Sequence, residues 1–259
     1  MTALLRTAAV TKSFGGVQAL NGATIEVEQG SIAGLIGPNG SGKTTLFNVI
    51  TGYETVDGGE VYLGDRRITN AAPDKVFSAG IGRTFQLTRV FSRLTVMENM
   101  IVAAQNAEGS RGRLRNPLAR AGGPATRRRA LELLEFTGIA HHAGALAETL
   151  SYGQRKLLEL SYVLMADPAI VLLDEPAGGV NLTLITMIAD RIRQLNQQGT
   201  TFLIVEHNMD FVMGLCDRVT VLDYGTAVVS GPPDVVRTDP RVLDAYLGTA
   251  EDDDDVPVS

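Results

Sequence analysis

The sequence predicts an α/β fold interrupted by an all-helical insertion, and three observations carry that expectation. Short apolar runs alternate with helix-patterned stretches in the first and last parts of the chain. A glycine-rich turn joins one apolar run directly to a helix near residue 43. Strand patterning then disappears between about residues 88 and 165. A chain of 259 residues is long enough to bury a core as one generous domain or two small ones.

Taken in order, Leu4–Val10, Ala23–Val27, Ser31–Ile36 and Glu60–Leu63 read as strands, with turns at Gly15–Gly16 and Gly58–Gly59. Lys43–Ile50 turns helical, and Ile81–Phe85 reads as a further strand. Thr95–Glu98 has the form of a capping box, opening a helix through about Asn106. Arg127–Phe136 and Gln154–Met165 follow as helices, with Leu131, Leu134, Leu157, Leu160 and Leu164 as their apolar positions. Ile170–Leu173 and Thr201–Val205 are strands flanking a helix over Thr183–Gln197, whose Leu184, Ile188, Ile192 and Leu195 form one stripe. Strands alternating with such helices imply parallel pairing.

Composition narrows the function. Hydrophobic residues make up 44% and charged residues 20%, which excludes a wholly disordered chain. With 23 basic against 29 acidic residues the net charge is -6, arguing against a nucleic-acid binder. Apolar runs fall short of the roughly 20 residues that span a bilayer, and no secretory pattern opens the chain. A soluble, cytoplasmic protein is expected, with Cys216 alone and reading as a buried, inert thiol.

Gly37-Pro38-Asn39-Gly40-Ser41-Gly42-Lys43-Thr44 fits the phosphate-loop pattern in its required setting, after an apolar strand and at the start of a helix. The glycines let main-chain N–H groups turn toward phosphate, and the helix N-terminus adds partial positive charge. Lys43 would reach the terminal phosphates, Thr44 would offer a hydroxyl to Mg²⁺, and Thr45 completes the loop set. Ile170–Leu173 then runs into Asp174-Glu175. Asp174 is suited to hold Mg²⁺, and Glu175 to polarise the water that attacks the γ-phosphate.

Leu150-Ser151-Tyr152-Gly153-Gln154 completes a set of motifs that resembles the ATP-binding subunits of ABC transporters, from about Leu4 to Gly248. That resemblance implies a RecA-like phosphate-loop core with an N-terminal antiparallel β subdomain and an α-helical signature subdomain. The expected division is a single cassette over 1–248, with its core at about 1–87 and 166–248 and the helical subdomain at about 88–165. An acidic, disordered tail is expected over 249–259. The resemblance assigns Phe14 to stack on adenine and Gln86 to contact Mg²⁺ and water. It assigns His207 to the γ-phosphate, and Ser151, Gly153 and Gln154 to a nucleotide held by the other subunit. Tyr152 departs from the usual glycine, with its side chain expected to point outward, and Asn181 stands where most members carry Asp. His141 and His142 read as solvated loop residues.

Ala177-Gly178-Gly179-Val180-Asn181, Gly82-Arg83-Thr84-Phe85-Gln86 and Val205-Glu206-His207-Asn208-Met209 resemble the branched-chain amino acid importer branch, as do Leu94–Asn99 and Ala245–Gly248. Urea importers and lipopolysaccharide exporters look similar. The implied cofactors are ATP and Mg²⁺. The implied partners are transmembrane permease subunits, a second ATPase subunit (a second copy or a related chain) and, indirectly, an extracytoplasmic solute-binding protein. The implied place is the cytoplasmic face of the plasma membrane. A soluble, non-transport ABC ATPase and a degenerate nucleotide-binding regulator are the other readings; the first is disfavoured by the single cassette, the second by Glu175, Gln86 and His207. The Gly109–Leu131 segment carries seven arginines and no acid, which reads either as a solvated loop or as a surface facing anionic headgroups.

Overall fold

The computed structural model of the protein describes residues 2–84, 90–110 and 122–247. The chain divides into two compact units, Met1–Ala72 with Leu203–Ser259 and Pro73–Phe202. In the first, β1 (Ala3–Phe14) pairs antiparallel with β2 (Val17–Ala23), β3 (Glu26–Glu28) and β5 (Gly58–Leu63), and β5 pairs with β6 (Arg66–Arg67). Along β1 the buried face passes from Leu5 and Thr7 to Val10 and Lys12, a change of parity. The cause is a bulge at Ala9, whose φ is +47° and where the register with β5 shifts.

Two sequence expectations fail at this sheet. Ala23–Val27 is not one strand, because the Thr7 hydroxyl donates to Ala23 O at 3.0 Å and accepts from Ile25 N–H at 3.0 Å, separating β2 from β3. Gly58–Gly59 is not a turn but the start of β5. Gly59 has φ +82°, and a Cβ there would collide with the carbonyls of Ala8 and Ala9 at the bulge. Central to the same unit is β4 (Ile32–Ile36), all five residues buried, followed by α1 (Lys43–Ile50), which buries Leu46, Phe47, Val49 and Ile50.

The second unit opens with α2 (Pro73–Ala79) and β7 (Ile81–Arg83). Its helices α3 (Val96–Ser110), α4 (Pro124–Phe136) and α5 (Tyr152–Leu164) pack on one another, and β8 (Ile170–Asp174) and α6 (Leu182–Gln197) follow. Among the described residues of 90–165 no strand occurs, only a single bridge between Thr95 and Leu146. The capping box is formed: Thr95 Oγ1 accepts from Glu98 N–H, and the Glu98 carboxylate accepts from Thr95 N–H at 2.7 Å. In α4 the buried stripe is Ala130, Leu133 and Leu134, and Leu131 is exposed, a correction to its expected core position. β7 and β8 pair in parallel, and a Cβ at Gly82 would stand 2.5 Å from Val163 of α5, so the glycine permits a close helix-on-strand contact. The Arg-rich stretch 111–121 and the acidic tail lie outside the described residues; Arg127, Arg128 and Arg129 are exposed on α4.

Beyond α6 the chain returns to the first unit. β9 (Thr201–Val205), α7 (Met209–Leu215), β10 (Arg218–Asp223), β11 (Thr226–Gly231), α8 (Pro233–Thr238) and α9 (Pro240–Leu247) complete it, with strands in the order β11-β10-β4-β9. β4 and β10 are parallel, and β11 is an antiparallel edge. At Gly34 of β4 an added Cβ would meet Val212 at 3.0 Å and the Cys216 Sγ at 3.1 Å, so α7 rests directly on the strand.

Burial pushes the Cys216 thiol up to about 12, with the Asp217 charge adding to it. Alkylation of Cys216 by iodoacetamide at pH 8 should therefore require unfolding. Because the folded state keeps this thiol neutral, its contribution is full below pH 9 and is lost as pH rises from 9 toward 12. Rapid alkylation without loss of helical circular dichroism would contradict this placement.

Candidate active site

The phosphate loop is built where β4 ends. Gly37 has φ +151°, Gly40 +79° and Gly42 +101°. A Cβ at Gly37 would strike Leu222 O, and one at Gly42 would strike Ala19 O, so these two glycines are demanded by close backbone approach. Lys43 is buried at the first turn of α1, its ammonium donating to Gly37 O at 2.8 Å, Pro38 O at 2.7 Å and Ser41 Oγ at 3.2 Å. A buried ammonium at a helix N-terminus makes a positive concavity suited to phosphate. Pro38 is buried, Asn39 is exposed, Thr44 is exposed on the first turn and Thr45 is half-buried.

Two further expected residues belong to the same unit. Phe14, 44% exposed at the end of β1, has the Lys12 ammonium 5.0 Å from its ring centroid. An exposed ring with one face available suits stacking. His207 is exposed two residues past β9, the neighbour of β4 in the sheet. The turn that carries it is shaped by Glu206, a buried carboxylate that accepts from His207 N–H at 3.0 Å and Asn208 N–H at 3.2 Å. Asn208 then caps α7 through Phe211 N–H.

The second unit holds the acids and the signature segment. Asp174 is buried at the end of β8, its Oδ2 3.1 Å from the Arg83 Nη2, and its N–H donates to Thr84 Oγ1 at 3.3 Å. Glu175 follows at φ +49°, a left-handed conformation that costs a non-glycine residue about 1–2 kcal/mol. Its carbonyl accepts from Gly178 N–H at 3.1 Å and from the Lys156 ammonium of α5. Ser151 caps α5: its Oγ accepts from Gln154 N–H at 3.3 Å, and Gln154 Oε1 accepts from Ser151 N–H at 2.8 Å. Gly153 is buried, and a Cβ there would run into Leu184 of α6. Asn181 is the N-cap of α6, its Oδ1 accepting from Leu184 N–H at 2.9 Å, a task Asn and Asp perform equally well.

Several residues were given no individual role from the sequence. Arg83, Thr84 and Lys156 act on their partners across long sequence separations, and Glu206 acts on its own turn; an acid closing an apolar run was the one available signal. His142 corrects an expectation: it sits in a 3₁₀ turn with its Nε2 2.9 Å from Gln154 Nε2. The Tyr152 side chain does not simply face outward but lies against Gly179, where an added Cβ would stand 3.0 Å from the ring. Gln86 lies outside the described residues.

A glycine-walled loop with a buried lysine at a helix start, and a buried strand ending in two carboxylates, define a nucleotide-binding ATPase of the phosphate-loop class. Residues 20–178 match the ABC transporter family, and residues 228–252 match the branched-chain amino acid ATP-binding cassette transporter family. The high-affinity branched-chain amino acid transport ATP-binding protein LivG of Salmonella typhimurium is 38% identical over 241 residues, 92% of this chain and 94% of that one. A probable LivG of Archaeoglobus fulgidus is 36% identical over 251 residues, 96% of each chain. Among solved structures, the ADP conformation of an ATP-binding cassette of an ABC transporter is 35% identical with TM-score 0.84, covering 96% of this chain and 100% of that one. A dimeric cassette in a post-hydrolysis state bound to ADP and Pi is 25% identical with TM-score 0.77, covering 88% and 98%. The chain belongs to the ABC transporter family, as one of its ATP-binding cassettes.

Replacing Arg83 by Met should destabilise the second unit by about 3–5 kcal/mol, the usual cost of breaking a buried ion pair from one side. Urea denaturation followed by circular dichroism measures this, and an unchanged midpoint would show that the pair contributes little. Lys43→Ala should abolish detectable binding of a fluorescent ATP analogue while leaving the fold intact.

Proposed function

We propose that this chain is the ATP-hydrolysing subunit of a membrane importer for branched-chain amino acids, working through ATP-driven closure of a dimer. The transport reading is carried by the identity of 35–38% over more than nine-tenths of the chain to proteins named for that transport, LivG and BraF. Among the described residues no helix is long and apolar enough to cross a membrane, which fits an engine that works with separate permease subunits at the cytoplasmic face. The solute-binding protein would touch the permeases, not this chain.

In hydrolysis the Glu175 carboxylate would accept a proton as water attacks the γ-phosphorus and the bond to the β-phosphate oxygen breaks, releasing ADP and inorganic phosphate. Lys43 and the loop N–H groups would hold the phosphates, Phe14 the adenine, and His207 the γ-phosphate. Thr44 and Asp174 offer hard oxygen donors of the kind Mg²⁺ prefers, and Gln86 is the further candidate. Bound there, Mg²⁺ would neutralise charge on the phosphate oxygens. Ser151, Gly153 and Gln154 stand at the N-terminus of α5, where the helix dipole would favour an anion presented by another subunit. The Ser151 cap uses an oxygen lone pair, so its O–H can still donate to phosphate. The cassette is proposed to span 1–248, with the helical subdomain at about 88–165 meeting the permease.

Glu175→Gln should leave ATP affinity unchanged and lower steady-state turnover by about 10²–10⁴-fold, the usual range for a general base. Loss of less than a few-fold would remove Glu175 from that role. Ser151→Arg should likewise stop turnover yet leave nucleotide binding by the single subunit within about two-fold, since its crowding falls on the other subunit's phosphate.

A further inference from the structure

The α5 helix carries more than its N-terminal Ser151. One turn further along, Lys156 is buried, and its ammonium donates to the main-chain carbonyl of Glu175. The same ammonium stands 5.3 Å from the centroid of the Tyr152 ring. That ring in turn packs against Gly179, four residues after Glu175. Lysine and tyrosine, both on the first turns of α5, therefore grip the turn 175–179 at its two ends.

The turn needs such a grip. Glu175 holds an unfavourable left-handed φ of +49°. A small cavity of about 30 Å³, room for about one water, is lined by Lys156, Glu159, Asp174 and Pro176 beside the turn. A hydrogen bond from a charged donor is among the stronger single contacts available for fixing a carbonyl.

We propose that Lys156, steadied by Tyr152, is a positioning residue for hydrolysis: it locks the Glu175 turn to the helix that presents Ser151. Resting on the hydrolytic reading given above, the inference assigns α5 two tasks at once. Its cap faces a nucleotide brought by the other subunit, while its second turn aims the base for the subunit's own nucleotide. Movement of α5 on closure would thus be felt by Glu175 without any intervening segment. It also gives the Tyr152 departure a function, since glycine at that position would leave Lys156 no ring to lie against.

The test compares the full-length wild type with Lys156→Met, Lys156→Arg and Tyr152→Ala, and adds Lys156→Met to Glu175→Gln. Steady-state ATP turnover with Mg²⁺ and titration with a fluorescent ATP analogue are the readouts. Lys156→Met should lower kcat by about 10²-fold, as a misplacement of about 1 Å can, with ATP affinity within about two-fold of wild type. Lys156→Arg should recover to within about three-fold of wild type, because a guanidinium also donates to a carbonyl. In the Glu175→Gln background the methionine should cost less than about two-fold more, since no base remains to be aimed. Tyr152→Ala should lower kcat by about five-fold at unchanged affinity, and it decides the matter with the arginine variant if Lys156→Met fails to fold. A methionine variant with near wild-type kcat, a loss confined to ATP affinity, or losses that multiply with Glu175→Gln would overturn the inference. If Lys156→Met does not fold, an unaffected Tyr152→Ala would do the same. A wild type with no ATP turnover would overturn the hydrolytic reading itself, and this inference with it.

Discussion

Main-chain N–H groups can close around a phosphate only where no side chain stands between them, and the first unit is arranged around that steric demand. Gly37 and Gly42 lie so near Leu222 O and Ala19 O that any Cβ would collide. Those carbonyls come from the end of β10 and from within β2, so both sheets of the unit border the loop. A short relay of hydrogen bonds holds them there: Gly225 N–H donates to Ser41 O at 3.0 Å, and Asn21 N–H donates to Gly225 O at 2.9 Å. Gly225 and Tyr224 both have positive φ, as a tight two-residue turn between β10 and β11 requires. The N-terminal antiparallel sheet thus does more than carry Phe14; it backs the loop that holds Lys43.

The second unit solves a different problem, the placing of two carboxylates with different environments. Asp174 is buried and ion-paired to Arg83, which fixes one of its oxygens. Glu175 is half-buried and leaves the strand through a left-handed bend, so its side chain departs from the direction of the β8 residues before it. Adjacent acids in one strand end are in this way given separate environments by backbone geometry. The α5 and α6 caps, Ser151 and Asn181, border the same region with short polar side chains whose bonds are local.

Legibility in the sequence followed the range of the interactions. α1 and β9 could be read to the residue, because a phosphate-loop pattern and an uninterrupted apolar run are local signals. The capping box at Thr95 was legible for the same reason. Gly58–Gly59 misled, since a glycine pair ordinarily marks a turn, whereas here Gly59 accommodates the Ala9 bulge on another strand. Leu131 misled because its neighbour Ala130, small but apolar, lies on the buried stripe instead. β10, β11 and the short C-terminal helices were not assigned from pattern alone. In the site, Lys43, Asp174 and Glu175 followed from motif and chemistry, but Arg83 and Lys156 did not. Their partners are a carboxylate 91 residues away and a main-chain oxygen 19 residues away, and no local pattern announces either.

The central claim is that each nucleotide is completed by the signature segment of another subunit, with Ser151 and Glu175 serving different nucleotides. Its most direct test is the dependence of ATP turnover per subunit on protein concentration, with mass measured by light scattering under the same conditions. The account predicts that turnover per subunit rises with concentration and levels off as ATP-bound dimers come to dominate. Full turnover at concentrations where the ATP-bound chain remains a monomer would contradict it.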